Sequence, residues 1–189
     1  MEMSKEVSNL AFVNQARSEK YTGVPYSKLD CQAFVEKVLE DCGVRKADGS
    51  IYNWKGVNSM WRNAFTWKGT IEEAKKVFGC IPLGAWMIHW VNDGGERERG
   101  YFDGLGNAKH IGIYTGEPGE VRDSTEIKTG PNKRNGVGYR ALSGFNYVCL
   151  PFMINYQGAD LAVNQPEQPD KEKALQALEV LKLYILGGK

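Results

Sequence analysis

The sequence has no long apolar run and almost no net charge. No segment approaches the roughly 18 consecutive apolar residues of a transmembrane helix. The first 21 residues lack a basic start followed by an apolar core, so we expect no signal peptide. A formal net charge of +1 gives no electrostatic basis for binding nucleic acid or a membrane surface. We therefore expect neither nucleic acid nor membrane insertion.

Cysteine and histidine are also scarce, with four and two residues in the chain. The cysteine spacings fit no zinc pattern, and without a secretion signal free thiols are the expected state. The acidic residues of 92–108 do not have the ligand spacing of a calcium loop. We expect no metal and no organic cofactor.

The composition supports a folded core, and the order of the elements indicates an α+β fold. Hydrophobic residues make up 42% of the chain, enough for a domain of ordinary size. The apolar spacing predicts helices first and hairpin-connected strands after them, which gives helices packed on an antiparallel sheet. The predicted helices cover 5–20, 31–42 and 70–79, the stretch 44–69 is expected to be irregular, and the predicted strands cover 85–91, 109–116, 120–125, 136–142 and 145–154.

The composition changes after residue 154. Residues 155–170 are polar and contain two prolines, as in a linker, and 171–189 carry leucines at helical spacing. We therefore expect a main domain at 1–154 and a linker with a C-terminal helix at 155–189. Self-association through that helix is a further expectation.

The helix predicted from residue 31 has a clear beginning and end. Asp30 is a favoured N-cap residue, apolar side chains recur at helical spacing from Cys31, and Gly43 ends the pattern. Cys31 therefore lies in the first turn, where free backbone N–H groups stabilise a thiolate and can hold an oxyanion. The alternative is an ordinary core thiol, the class to which we assign the other three cysteines.

His110 favours the catalytic interpretation of Cys31. It begins a strand that should pack beside the helix, and a thiol with an imidazole is the minimal pair for cysteine nucleophilic catalysis. The next strand carries Asp123, Ser124 and Thr125, and a polar side chain there can orient the imidazole. A strand-end histidine and a solvated aspartate are the structural alternatives, and the order of all three features favours catalysis.

The motifs resemble a known family. "DCQAFVEKVL", "GCIPLGAWMIHW" and "HIGIYTG" followed by "VRDST" are similar to the motifs of the NlpC-type papain-like cell-wall cysteine hydrolases, over about residues 8–153. "GVPY" ahead of the cysteine and "GYRALSGFNYVCLP" near the end add to the resemblance. It implies a papain-like fold, a nucleophilic Cys31, a general-base His110 and cleavage of an amide in peptidoglycan.

The third catalytic residue departs from the family pattern, in which it is His, Asn or Gln. Here Arg122, Asp123 and Ser124 compete for the position. We select Asp123, because among them only a carboxylate accepts strongly from the Nδ1–H of His110, and arginine has no acceptor. His89 is a rival base, but it lies where the family has no catalytic residue.

Four further residues are expected to hold the oxyanion or contact the substrate, namely Tyr26, Asp30, Gln32 and Trp86. Gln32 and Ala33 replace the usual Ser-Gly, and the acidic residue of the usual Gly-Asp-Leu motif is missing next to Trp86. The segments 44–80 and 92–108 are insertions relative to the family, and we expect the second to wall or cover the groove.

The resemblance implies hydrolysis of the γ-D-glutamyl bond to the third stem-peptide residue. The alternative bond is the N-acetylmuramoyl–L-alanine amide, as in the related CHAP-type amidases, and the rival from another class is a wall-binding module without activity. The expected partner is thus a peptidoglycan peptide. A phage or prophage endolysin reconciles a wall substrate with the lack of a signal peptide, because it stays in the cytoplasm until a separate pore releases it; carriage on a phage or conjugative particle is the other route.

Overall fold

Helices and a six-stranded antiparallel sheet make up most of residues 6–116, 120–130 and 133–156, which the computed structural model describes. The helices are α1 (Asn9–Ala16), α2 (Cys31–Asp41), α3 (Val57–Asn63) and α4 (Ile71–Phe78). The strands are β1 (Val7–Ser8), β2 (Phe65–Thr70), β3 (Trp86–Val91), β4 (Asn107–Gly116), β5 (Glu120–Ile127), β6 (Arg134–Arg140), β7 (Tyr147–Pro151) and β8 (Ile154–Asn155). The predicted α+β class is confirmed. Apart from 155 and 156, the predicted linker and C-terminal helix lie outside the described residues.

The sheet has the strand order β2-β7-β3-β4-β5-β6, and all neighbouring strands are antiparallel. Strands β3 to β6 follow one another along the chain and pair as consecutive neighbours, as predicted. Strand β7 returns to the free side of β3, and β2 pairs outside it. The short strands β1 and β8 pair in parallel next to α1.

Helix α2 begins and ends where the sequence predicts. The Asp30 side chain accepts a hydrogen bond from the Ala33 backbone N–H at 2.8 Å, and Gly43 follows the helix with a positive φ. The apolar side chains of α2 are buried, and the helix packs against β4 and β5. Those two strands carry the residues predicted to work with Cys31.

Two predictions about the helices need correction. The first helix ends at Ala16 rather than residue 20, and a 3₁₀ turn at Glu19–Tyr21 follows it. The stretch 44–69 is not irregular, because it contains α3 and most of β2. Helix α3 has only seven residues, too few for a helical period to show, and its stability comes from tertiary packing of Met60 and Trp61.

Buried apolar side chains form two clusters, on opposite faces of the sheet. Successive residues of β3 alternate between them, with Trp86 and Ile88 in the larger cluster under α1 to α3 and Met87 in the smaller one under α4. In the part of the chain that the structure describes, no helix is long and apolar enough to cross a membrane.

Candidate active site

Cys31 is the first residue of α2 and is 6% exposed. The segment that leads into the helix is fixed to the sheet, because the Ser124 hydroxyl of β5 donates a hydrogen bond to the Leu29 carbonyl. The free N–H groups of the first helical turn therefore lie beside the thiol on a rigid support. This placement suits a thiolate and an oxyanion in the same spot.

His110 lies near both of its predicted partners. The Cys31 side chain is close enough to the imidazole to raise its pKa. Its Nε2 atom lies 2.6 Å from the Oδ2 atom of Asp123, and its ring stacks on Phe145 with 5.8 Å between the ring centres. The imidazole is therefore held on three sides, with one ring nitrogen on the carboxylate.

The identity of that ring nitrogen differs from the expectation. The expected hydrogen bond to the third catalytic residue comes from Nδ1–H of His110, whereas in the structure Nε2 faces Asp123. Nδ1 is then the ring nitrogen available to Cys31. The spacing of residues along two strands does not determine which of the two imidazole nitrogens faces the neighbouring strand. The choice between Nδ1 and Nε2 therefore cannot be predicted from the sequence pattern.

The environment of His110 favours its charged form. Burial of the imidazole acts to lower its pKa, but the hydrogen bond to Asp123 and the nearby Cys31 together outweigh burial and raise the pKa to about 9. The ring is therefore protonated at neutral pH. An imidazolium beside a thiol is the electrostatic arrangement that activates a cysteine nucleophile.

Asp123 reaches His110 because a glycine lies between them. The pairing of Ile113 with Arg122 puts Gly112 opposite Asp123, so His110 is its diagonal neighbour. A Cβ atom on Gly112 would lie 3.1 Å from the Cβ of Asp123 and 2.6 Å from Cγ1 of Val121. Gly112 thus leaves the space through which the carboxylate meets the ring.

Two arginines of β6 hold the same carboxylate, which is fully buried. Arg134 donates from Nη2 to the Oδ1 atom of Asp123, and the Nε atom of Arg140 lies 3.5 Å from Oδ2. The sequence analysis missed both arginines, because nothing in the local pattern of β6 indicates that their side chains turn toward β5. With a cationic neighbour at each of its oxygens, the carboxylate is fixed relative to β6.

The other two candidates for the third catalytic residue, Arg122 and Ser124, have their side chains on the opposite face of β5. Arg122 is fully buried, donates from Nη2 to the Thr22 hydroxyl at 2.7 Å, and lies over the Tyr139 ring. Ser124 holds Leu29, as described above. Side chains alternate along a strand, so only Asp123 of the three reaches His110.

A cavity of about 490 Å³ opens beside Cys31, and three predicted contact residues line it. The Tyr26 hydroxyl lies 4.0 Å from the Cys31 sulfur. Burial, and then the nearby Cys31, raise the pKa of Tyr26 to about 12, so its hydroxyl stays a donor. Asp30 lines the cavity while capping α2. Gln32 also lines it, but its amide nitrogen donates to Glu36 and to the Trp54 carbonyl.

The expectation that Trp86 contacts substrate is wrong. Its side chain is 0% exposed and packs edge-on against Trp54 and Phe65 in the larger core cluster. The motif correctly predicted a strand here, but not which face of the sheet the indole takes. A fully buried ring has no surface to offer a ligand.

Residues of both predicted insertions form a wall of the cavity. Asn58 of α3 donates to Glu96 at 3.1 Å and to Asn107 at 2.8 Å, and its oxygen accepts from the Ala108 N–H. Arg62 clamps the same loop through a 2.6 Å ion pair with Asp103. This network ends two residues before His110, so the insertions and the histidine strand are built as one unit.

The remaining thiols lie away from the site, whereas the second histidine is a cross-strand neighbour of His110. His89 is exposed on β3, opposite His110 in the strand register. Cys42 and Cys80 are half-buried and Cys149 is fully buried. Among the described residues, no group of three or more His, Cys, Asp or Glu side chains is placed to hold a metal ion.

Comparison with protein-family models, with curated proteins and with solved structures found no match. The function of the site therefore rests on its own geometry and chemistry.

Proposed function

We propose that this chain is a cysteine-dependent amide hydrolase of the NlpC type that cleaves peptidoglycan stem peptides. One observation carries the proposal: Nε2 of His110 lies 2.6 Å from the buried carboxylate of Asp123, and Cys31 is near enough to the same imidazole to raise its pKa. Nucleophile, base and orienting carboxylate in this order form the general arrangement for acyl transfer. Helix α2 packed on β4 and β5 supports a papain-like fold.

The proposed reaction begins with attack by the Cys31 sulfur on the scissile carbonyl carbon. The new C–S bond pushes the carbonyl electron pair onto oxygen, which the N–H groups of the first α2 turn and the Tyr26 hydroxyl stabilise. Collapse breaks the C–N bond, and the His110 imidazolium gives its proton to the leaving amine. Water then loses a proton to His110 and attacks the thioester, which releases the acid and restores the thiolate–imidazolium pair.

The charged lining of the cavity beside Cys31 favours a peptide substrate that has both positive and negative groups. Its lining includes the carboxylates of Asp30 and Glu96 and the cations of Arg99 and Lys109. Stem peptides present amino and carboxylate groups within a few bonds of each other, and a wall of mixed charge suits such a chain. The γ-D-glutamyl bond to the third residue is the proposed scissile bond.

Purified peptidoglycan of several chemotypes tests the proposal. The intact chain and its Cys31→Ala variant are incubated with the walls, and the released fragments are identified by mass spectrometry. A new amino terminus on the third stem residue, formed only with Cys31, supports the proposed bond; a free L-alanine amine points instead to the amidase. Cys80→Ala is the matched control, because it removes a thiol outside the site.

No release from any wall by the folded protein contradicts the hydrolase proposal. If the protein nevertheless binds the walls, a non-catalytic binding module is the better account.

A further inference from the structure

A second cavity, of about 390 Å³, lies between β6 and the turn that follows it. It shares no lining residue with the cavity at Cys31. Its polar lining comes from Arg134, Tyr139, Arg140 and Ser143. The proposed hydrolysis does not use this space, so its chemistry needs a separate explanation.

The surroundings of this cavity carry more positive than negative charge. Arg134 and Arg140 share a single carboxylate, Asp123, which also serves His110. Among the described residues, Asp123 is the sole carboxylate within 4.0 Å of either arginine. The Glu120 carboxylate, on the strand paired with Arg140, accepts instead from the Leu142 N–H at 2.7 Å. One buried anion therefore faces two arginines and a protonated imidazole.

One of the donors around the cavity has no acceptor in the described part of the chain. The Nε atom of Arg134 is buried without a hydrogen-bond partner. Buried donors without acceptors are costly, and buried cations more so, unless an anion compensates them.

Two glycines make room for the arginines at this site. A Cβ atom on Gly138 would lie 2.6 Å from Nη1 of Arg134, and one on Gly144 would lie 3.0 Å from Cδ of Arg140. The Arg140 guanidinium also rests near the Phe145 ring, 5.8 Å from its centre. Both guanidinium groups are thus fixed by their surroundings, as a preorganised binding site requires.

We propose that this cavity binds an oxyanion, a carboxylate or phosphate group, between Arg134 and Arg140. The guanidinium groups donate to the oxyanion through the N–H groups that Asp123 and the Tyr139 carbonyl leave free, and the Ser143 hydroxyl adds a further donor. The volume exceeds that of the anion alone, so the ligand is an oxyanion on a body of amino-acid or sugar size. Within a cell wall, stem-peptide carboxylates and phosphate-bearing wall polymers both supply this chemistry.

Amide chemical shifts of the intact chain test the site without any need for catalysis. Inorganic phosphate and N-acetyl-D-glutamate are titrated separately at constant ionic strength, with chloride as the reference anion. We expect saturable shifts at Ser143 and Gly144, and the tighter probe identifies the source of the oxyanion. Shifts that follow chloride, or that centre on Arg99 and Lys109 in the other cavity, overturn the proposal.

Arg140→Gln supplies the second arm of the test, with Lys128→Gln as a matched loss of one exposed positive charge. We expect binding to weaken about tenfold or more in the first variant and to stay unchanged in the second. Equal binding by both variants overturns the proposal. If Arg140→Gln does not fold, Ser143→Ala on the exposed side of the cavity replaces it, with the same expected direction.

Discussion

The Nε2 atom of His110 and the Oδ2 atom of Asp123 lie 2.6 Å apart on neighbouring strands, and the carboxylate is fully buried. Because the carboxylate is buried, water and salt screen this pair less than they screen an exposed ion pair. The pKa of His110, about 9, reflects the attraction within this pair after the opposing effect of burial.

Asp123→Asn should lower the pKa of His110 from its value of about 9. The amide keeps the shape of the side chain but removes the charge that stabilises the imidazolium, so that only Cys31 then opposes the effect of burial. A titration followed by the NMR signals of the imidazole measures the change. The kcat on stem peptides should fall about a hundredfold, because the ring is no longer charged or oriented for proton transfer.

Asp48→Asn is the matched control, since Asp48 lies in an exposed loop away from the site and accepts hydrogen bonds from Ser50. Its His110 titration should match that of the unaltered chain. An unchanged pKa in Asp123→Asn would show that the carboxylate does not charge the imidazole.

The stability that His110 contributes should fall as the pH rises from about 6.5 to about 9. His110 has a raised pKa in the folded state, so its contribution is fully present below 6.5, where the unfolded chain is also protonated, and disappears as the folded state loses the proton. The difference is on the order of 3 kcal/mol, from about 1.4 kcal/mol per pKa unit. Denaturant unfolding across this range measures it.

His110→Gln separates this contribution from other titrating groups. The variant should show a flatter dependence on pH over the same range. Parallel curves for the two proteins would mean that His110 does not carry the effect.

Cys31 should be the first cysteine to react with iodoacetamide near neutral pH. Burial raises the pKa of Cys42 to about 11, so only about one molecule in ten thousand is ionised there at pH 7. Burial also raises the pKa values of Cys80 and Cys149. Peptide mapping by mass spectrometry should find Cys31 alkylated about a hundredfold faster than the others.

His110→Ala should remove that advantage, because the thiolate then loses its cationic neighbour. Similar rates at Cys31 in both proteins, or preferential labelling of Cys42 or Cys80, would identify Cys31 as an ordinary thiol.

Gly112→Ala should separate Asp123 from His110. The new methyl group would lie 2.6 Å from Val121 Cγ1 and 3.1 Å from the Asp123 Cβ, inside two strands that cannot easily move apart. We expect a loss of about 1–3 kcal/mol in the free energy of unfolding, as in other overpacked cores. The same variant should lower the pKa of His110 and reduce kcat, and the NMR titration distinguishes this from simple destabilisation.

The parts of the site that the sequence predicts are those with local signals. Asp30 and Gly43 mark the ends of one helix, so Cys31 could be placed in its first turn, and the strand of His110 followed from apolar residues and bounding turns. The partner of His110 depended on strand register, and β5 offers three adjacent polar residues of which alternation selects one. The choice of Asp123 was made on acceptor chemistry and agrees with the geometry.

The features that could not be predicted depend on contacts between distant segments. Arg134 and Arg140 reach Asp123 from the neighbouring strand β6. The missing side chain of Gly138 leaves room for the Arg134 guanidinium, and this proximity exists only in the folded sheet. The face taken by Trp86 also depends on which side of the sheet α1 to α3 cover. Neither propensity nor periodicity within β3 or β6 contains that information.

Arg134 should act as a positioning residue for Asp123 rather than in the reaction itself. Its guanidinium holds Oδ1 through Nη2 and the Tyr139 carbonyl through Nη1 at 2.7 Å, so it fixes the carboxylate relative to β6. Arg134→Met removes a positive neighbour of Asp123, and the carboxylate should then attract the imidazolium more strongly. The pKa of His110 should rise further, although the protein loses about 1–3 kcal/mol of stability.

Arg134→Lys keeps the charge but loses the fork geometry. We expect its His110 pKa to stay near that of the unaltered chain, while kcat falls because Asp123 is no longer fixed on two sides. A merely structural arginine would give lower stability in both variants with no change in the His110 titration of either. If the pKa of His110 rises in Arg134→Met but not in Arg134→Lys, the charge of Arg134 tunes the pKa of His110. The loss of kcat in Arg134→Lys then shows that the shape of the guanidinium orients Asp123 and, through it, His110.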